Sequence, residues 1–213
     1  MIVLTASSII MNIIVWNSRG VLKPNFQKHV KDLVQAHDPA IFVVMETRVG
    51  GERAKAISDN LPFDGALHLE TIGYSGGLWL MWNSDKVEVT ELANTKQKIH
   101  VIVKVRCSDL SWVFSAMYAS RRLAERSILQ ENLAKVAESH TLPWVIFGDF
   151  NEPLSADDKF GGRHVSINRE LLFKECLDRC NMIDLGFSGP RYTWTNRREV
   201  GDLIQERLDL FFC

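Results

Sequence analysis

Apolar residues along this chain come in short, nearly unbroken runs, and most of these runs end at a polar residue. Asn12-Ile13-Ile14-Val15-Trp16 leads to Asn17. Ala40-Ile41-Phe42-Val43-Val44-Met45 leads to Glu46. Trp112-Val113-Phe114-Ser115-Ala116-Met117 leads to Tyr118, and Trp144-Val145-Ile146-Phe147 leads to Gly148-Asp149-Phe150-Asn151. Their length and β-branched content predict buried strands. A fifth run, over 206–212, carries Asp209 inside it. Between the runs the period changes to that of a helix. Phe26, Val30, Leu33 and Val34 share one face over 24–36, with Pro24 suited to the first turn. Further helices are predicted over 54–61, after Gly50-Gly51, over 124–139 with Leu129, Leu133 and Val136 on one side, and over 168–180. Gly76-Gly77 introduces a strand over 78–82, closed by an Asn83-Ser84-Asp85 turn. The segments 98–105 and 112–118 read as a hairpin across Cys107-Ser108-Asp109. Residues 157–164 form a polar loop with Gly161-Gly162, and short strands follow at 182–184 and 192–195. Strands and helices recurring in this way predict layered α/β packing.

The polar run ends are the candidate chemistry. Residues two apart on an extended segment point the same way, so Asp149 and Asn151 present a carboxylate and an amide to one space. That pair suits the activation of a water and the holding of a phosphate oxygen. Each polar tip also has an ordinary explanation. Gly, Asp and Asn are common in turns, Glu46 would be at home on a solvated strand end, and Asp209 could pair with a nearby arginine. All five together, in this order, point to a site.

Composition adds boundaries. At 213 residues and 46% hydrophobic, the chain makes one large domain or two small ones with a sizeable core. A net charge of −1 gives no global basic footprint for nucleic acid. Arg121-Arg122 with Arg126, and Arg197-Arg198, are local candidates for phosphate contacts, with solvated surface as the plainer reading of each. Cys107, Cys176, Cys180 and Cys213 complete no zinc spacing and read as reduced thiols of an intracellular protein. Residues 1–11 are mildly apolar without a basic start, too short for a membrane span, and read as a leader outside the domain that begins at residue 12. No other stretch is long and apolar enough to span a bilayer, and no internal repeat or linker stands out.

The order Trp-Asn-x-x-Gly at Trp16, Glu46-Thr47, Tyr118, Gly148-Asp149-Phe150-Asn151 and Arg207-Leu208-Asp209 resembles the endonuclease/exonuclease/phosphatase superfamily, the DNase I-like group that includes apurinic/apyrimidinic endonucleases. The finer resemblance is to the endonuclease domains of plant LINE-type non-LTR retrotransposons. It rests on Tyr74-Ser75-Gly76-Gly77-Leu78, Tyr118-Ala119-Ser120 and Leu185-Gly186-Phe187-Ser188-Gly189-Pro190-Arg191-Tyr192-Thr193-Trp194-Thr195-Asn196, and runs from Asn12 to the last residue. It implies an α/β (α+β) fold: a four-layer sandwich in which two mixed sheets face each other between helices. It implies hydrolysis of a phosphodiester by in-line attack of water with Mg²⁺, or Mn²⁺ as an alternative ion. Glu46 resembles the metal ligand and Asn17 its helper. Asp149 resembles the residue that positions or deprotonates the water, Asn151 its neighbour on a phosphate oxygen, and Tyr118 the phenol on the phosphate. Trp194 and Asn196 fall where the family contacts nucleic acid, with Arg121 as a further substrate contact. Trp194 is an equal candidate for a core aromatic. DNA is the implied substrate, the nucleus the implied location, and a reverse transcriptase the implied former fusion partner. No membrane and no obligate protein partner are expected.

One departure stands out. In the family, Arg-Leu-Asp is followed by Ser-Asp-His on a last strand, whose His acts on the scissile phosphate and is oriented by the residue matching Asp209. This sequence ends four residues after Asp209, and Ser-Asp-His occurs nowhere in it. Of its six histidines only His164, in a polar loop, is considered as a substitute. The expectation is a chain with an intact metal side, an incomplete catalytic side and a sheet left with an exposed edge. Three readings follow: an impaired DNA-nicking endonuclease, a catalytically dead nucleic-acid-binding remnant, and a small-molecule phosphoesterase of the same fold.

Overall fold

The computed structural model describes residues 2–5, 11–69, 76–95 and 97–213. Tyr74 and Ser75 of the first LINE-like motif lie outside the described residues. The chain divides into two compact units, Met1–Tyr118 and Ala119–Cys213.

In the first unit, β1 (Ile2–Thr5) pairs antiparallel with β2 (Asn12–Asn17), so the expected leader contributes a strand. β2 crosses over through α1 (Phe26–His37) to lie parallel to β3 (Ile41–Met45), the connection a parallel pair requires. Pro24 sits in the turn before α1 rather than inside it, and Asp38 ends the helix in left-handed conformation with its N–H on the Val34 carbonyl. α2 (Gly51–Ser58) follows. β4 (Gly65–Leu69) and β5 (Leu78–Trp82) complete a sheet of order β1-β2-β3-β5-β4. All five residues of β3 are buried, as its unbroken apolar run requires. Against one face of this sheet, Phe26 and Val30 of α1 pack with Ile14, Phe42, Trp79 and Met81, and Trp16 stacks on Phe26 at 5.5 Å. Each such large side chain contributes about 1.5–3 kcal/mol on burial.

The same unit contains an antiparallel meander of β6 (Val87–Thr95), β7 (Lys98–Val105) and β8 (Ser111–Tyr118). β5 lies against β7 and β8. The sequence pattern did not mark β6 as a strand of its own. Only Val87 of its nine residues is buried, and a bulge interrupts it between Glu91 and Ala93, so it carries little apolar alternation.

The second unit holds α3 (Leu123–Ser139), β9 (Trp144–Asp149), α4 (Ile167–Arg179) and a small sheet of β10 (Lys159–Phe160), β11 (Trp194–Thr195) and β12 (Gln205–Glu206). β13 (Asp209–Phe212) pairs antiparallel with β9. The run predicted as one strand over 206–212 is broken at Arg207 and Leu208, so Asp209 opens β13 instead of lying inside it. Phe150, Phe173 and Phe212 form an aromatic cluster beneath α4, with centroids 5.3–6.1 Å apart. The edge of β13 away from β9 is not bare. Residues 183–185 bond along it, through Ile183 N–H to the Cys213 carbonyl at 2.8 Å and Leu185 N–H to the Phe211 carbonyl at 2.9 Å. Together the elements make a mixed α/β fold, with two mixed sheets flanked by four helices.

Candidate active site

In the first unit, the tips of β2 and β3 lie side by side. Parallel pairing puts Asn17 beside Met45, and Ser18 donates from its N–H and its hydroxyl to the Met45 carbonyl. Asn17 thereby reaches the next residue, and its amide donates to Glu46 Oε1 at 3.0 Å. Arg48 donates from Nη2 to the other oxygen at 3.1 Å. Glu46 is 9% exposed, yet Arg48 is exposed. The Glu46-Thr47-Arg48 backbone is held by Gly76 and Gly77, whose carbonyls accept from the Arg48 and Thr47 N–H groups. Gly76 has φ 78°, a left-handed conformation that favours glycine, and it lies beside the Tyr118 ring, which a Cβ there would meet at an ordinary contact distance of 3.8 Å. Tyr118 is half-buried at the end of β8, with its N–H on the Gln97 carbonyl. Asn17, Glu46 and Tyr118 are thus assembled within one unit. Arg48 is a functional candidate that sequence reasoning missed. Its only advance signal was its place directly after Glu46-Thr47.

In the second unit, β9 extends two residues beyond its apolar run and carries Asp149 as its last residue, 8% exposed. The β9–β13 register sets Asp209 directly opposite Asp149. Asp209 is half-buried, and its N–H donates to the Thr193 hydroxyl at 3.1 Å. Past the strand, the Asn151 N–H donates to Asp149 Oδ1 at 2.9 Å, and the Asn151 amide donates to the Ala119 carbonyl at 2.7 Å. The Ala119 N–H in turn donates to the Asp149 carbonyl. The amide nitrogen of Asn151 is therefore anchored, which fixes the direction of its oxygen. Arg19, Glu46, Arg48 and Asn151 all have positive φ without being glycine, at 53°, 52°, 59° and 48°. Such backbone persists where the surroundings over-determine it, and it concentrates at functional sites.

The remaining candidates divide. Arg121 is exposed, as a phosphate contact needs. Trp194 is half-buried on β11, opposite Glu206, so the ring is neither a core aromatic nor fully open. Asn196 is engaged by its own loop: its amide donates to the Asp202 carbonyl, and its oxygen accepts from the Ile204 and Arg198 N–H groups. It shapes the 197–203 loop instead of presenting a free amide. Arg126, grouped in the sequence with the surface arginines, is buried at 4% exposure and bonded to Glu152 and two carbonyls. Its position on the inner face of α3, beside Leu129 and Leu133, takes it out of reach of a substrate phosphate. Arg207 of the Arg-Leu-Asp motif is likewise buried. It makes a two-pronged pair with Asp184 at 2.7 and 2.8 Å and lies 5.1 Å from the Phe187 ring centroid. His164 is exposed. All four cysteines are free thiols, Cys176 and Cys180 buried and Cys107 and Cys213 exposed.

A hard divalent cation takes oxygen donors, and Mg²⁺ commonly uses one or two carboxylates while keeping several waters. Glu46 fits that demand. It is an almost buried carboxylate whose two oxygens face the amide of Asn17 and the cation of Arg48. Among the described residues no group of three His, Cys, Asp or Glu side chains forms a closed protein cage.

Residues 14–213 match the family model described as the endonuclease/exonuclease/phosphatase family. Among curated protein sequences none matches. Solved structures share the fold at low identity. The endonuclease domain of TRAS1, a telomere-specific non-LTR retrotransposon, is 16% identical with a TM-score of 0.67, covering 94% of this chain and 84% of that one. An AP endonuclease from Leishmania major is 16% identical with a TM-score of 0.71, covering 94% and 78%. A mannosyl-6-phosphatase from Bacteroides thetaiotaomicron is 14% identical with a TM-score of 0.56, covering 95% and 84%. The buried Glu46 at one strand tip, the Asp149–Asn151 turn at another and the match over nearly all of the sequence agree, and the chain belongs to the endonuclease/exonuclease/phosphatase family.

Proposed function

We propose that this chain is a Mg²⁺-dependent endonuclease domain that nicks DNA in the nucleus, of plant LINE-type retrotransposon origin and once fused to a reverse transcriptase. The observation that carries the catalytic reading is the Asp149 turn. A nearly buried carboxylate ends a central strand, accepts from the Asn151 N–H, and has a second carboxylate, Asp209, as its cross-strand neighbour. A carboxylate fixed in this way suits a group that must take a proton from water. Glu46, held by Asn17, would hold the metal. The bound ion would supply charge stabilisation for the phosphoryl oxygens. Asp149 orients the attacking water and accepts its proton. Asn151 has one amide N–H tied to the Ala119 carbonyl, and its second amide N–H donates to a phosphate oxygen. The Tyr118 phenol donates to a phosphate oxygen, and Arg121 binds the strand away from the cut. The DNA reading is favoured over a soluble phosphoester by the resemblance of residues 185–196 to retrotransposon endonucleases.

Nicking of supercoiled plasmid with Mg²⁺, by this chain and by Asp149→Ala, tests the reading. Nicking that disappears in the variant is expected. Equal nicking by both would overturn it. Residues 1–213 contain no Ser-Asp-His, so their rate should lie roughly 10²–10⁴ below that of a chain that carries such a strand. Competition separates the substrates: duplex DNA should inhibit better than a small phosphomonoester. The reverse order would favour the phosphoesterase reading.

A further inference from the structure

We infer that Arg126 is a positioning residue for Asn151, acting through Glu152 and the main chain of residues 119–121; this rests on the reading of Asn151 as a phosphate-facing residue. The contacts close a ring. Arg126 Nη1 donates to the carbonyls of Ser120 and Arg121 at 3.0 and 2.8 Å. Its Nη2 pairs with Glu152 Oε2 at 2.6 Å, both side chains being 5% exposed. Glu152 is the residue after Asn151, and the Asn151 amide returns to the Ala119 carbonyl. One guanidinium therefore ties the two segments between which the Asn151 amide bond is made. Arg169, from α4, pairs with the same Glu152 oxygen and adds a second fixed point. Among the described residues Nε of Arg126 has no hydrogen-bond partner, and Arg126 lines a small cavity with Ala119, Phe150 and Phe173. Burial lowers the proton affinity of Arg126 and the Glu152 carboxylate opposes it.

A fold has little reason to bury such a cluster for stability alone. Replacing a buried ion pair with well-packed apolar residues is often neutral or stabilising. What the pair does supply is direction. A guanidinium offers donors in a rigid planar fork, so three acceptors on two segments are held at fixed angles. Asn151 needs that support because its φ of 48° is a conformation it adopts under constraint.

The test replaces the ion pair without stranding a charge. Arg126→Met with Glu152→Met keeps side-chain bulk and removes both charges, while Arg169 is free to turn to solvent. The Asn151 side-chain amide, identified in a ¹⁵N spectrum by its loss in Asn151→Asp, reports its bond to Ala119 directly. Its hydrogen exchange should accelerate at least roughly tenfold in the double variant. Plasmid nicking should show kcat reduced by about 10–100-fold with KM unchanged, and no further loss when Asn151→Ala is added. An Asn151 amide that exchanges as in the parent, or losses that multiply with Asn151→Ala, would overturn the inference. If the double variant does not fold, Arg126→Lys, which cannot span the three acceptors, is read by the same amide. If the parent itself does not nick, the functional reading fails while the amide exchange still decides this one.

Discussion

The two units handle charge in opposite ways. In the first, the Glu46 carboxylate meets a neutral amide and one exposed arginine, a partner that can leave, and the loop around it is positioned by main-chain bonds to Gly76 and Gly77. In the second, buried arginines carry the architecture. Arg126 meets Glu152, and Arg207 meets Asp184 and Asp158, every partner fixed on a different segment. For Arg207, burial works against the charged form, but the Asp184 and Asp158 carboxylates outweigh it and raise its proton affinity. The lesson is a division of labour. The Glu46 carboxylate is left with a removable partner, whereas Asp149 stands on a braced turn.

The largest effects should come from breaking each side in turn. Asp149→Ala and Glu46→Ala should each lower nicking by roughly 10²–10⁴. They should differ in calorimetry: Asp149→Ala keeps Mg²⁺ binding, and Glu46→Ala loses it while still binding DNA in the absence of metal. Mg²⁺ binding that survives in Glu46→Ala would remove the metal role from the first unit.

Next in size are the buried arginines. Glu152→Ala leaves Arg126 charged with its counter-ion removed, and should cost about 3–5 kcal/mol in urea unfolding. Breaking the exposed Arg48–Glu46 pair with Arg48→Ala should cost at most about 1 kcal/mol. Equal losses would abolish the distinction between a brace and a removable partner.

That distinction was only half legible in the sequence. The strands that carry Asn17, Glu46, Tyr118 and Asp149 were visible because their neighbours are fully buried and therefore unbroken in apolar character. So were the helices, to within three residues at either end. The arginines were not. Arg121, Arg122 and Arg126 are alike in composition, and only the helical phase of α3 turns Arg126 inward with Leu129 and Leu133. Asn196 resembled a substrate contact by its motif, but its amide closes a loop to residues 202 and 204, a pairing no local pattern encodes. β6 escaped because an exposed edge strand with a bulge has no alternation to read.

A smaller effect concerns Lys98, buried to 3% exposure. Burial alone pulls its pKa from 10.5 down to about 8. The sign follows from proton counting. Between about pH 8 and 10.5 the unfolded chain holds a proton on this lysine that the folded chain has released, so stability rises with pH across that window. Below pH 8 both forms are protonated and the full cost of the buried charge is present, on the order of 1–3 kcal/mol. Lys98→Met should therefore stabilise the protein at pH 7 and flatten the rise. An unchanged slope would show that the ammonium reaches water.

The smallest effect, a few-fold, bears most directly on how the Glu46 side works. Arg48 sits on Glu46 Oε2 at 3.1 Å with half of its own side chain in solvent, where an ion pair contributes about 0.2–1 kcal/mol. A cation that binds the same carboxylate must displace that contact or share it. Arg48→Met keeps the aliphatic stem and removes the competitor, so the Mg²⁺ midpoint measured by calorimetry should fall roughly 1.5–5-fold, the range that the pair's energy allows. The gain should shrink as salt rises, because screening already weakens an exposed guanidinium. A midpoint that stays put would mean that Arg48 and the ion use different oxygens. A midpoint that rises would mean that Arg48 holds Glu46 in its metal-ready rotamer, and the arginine on the first side would then be a brace like those on the second.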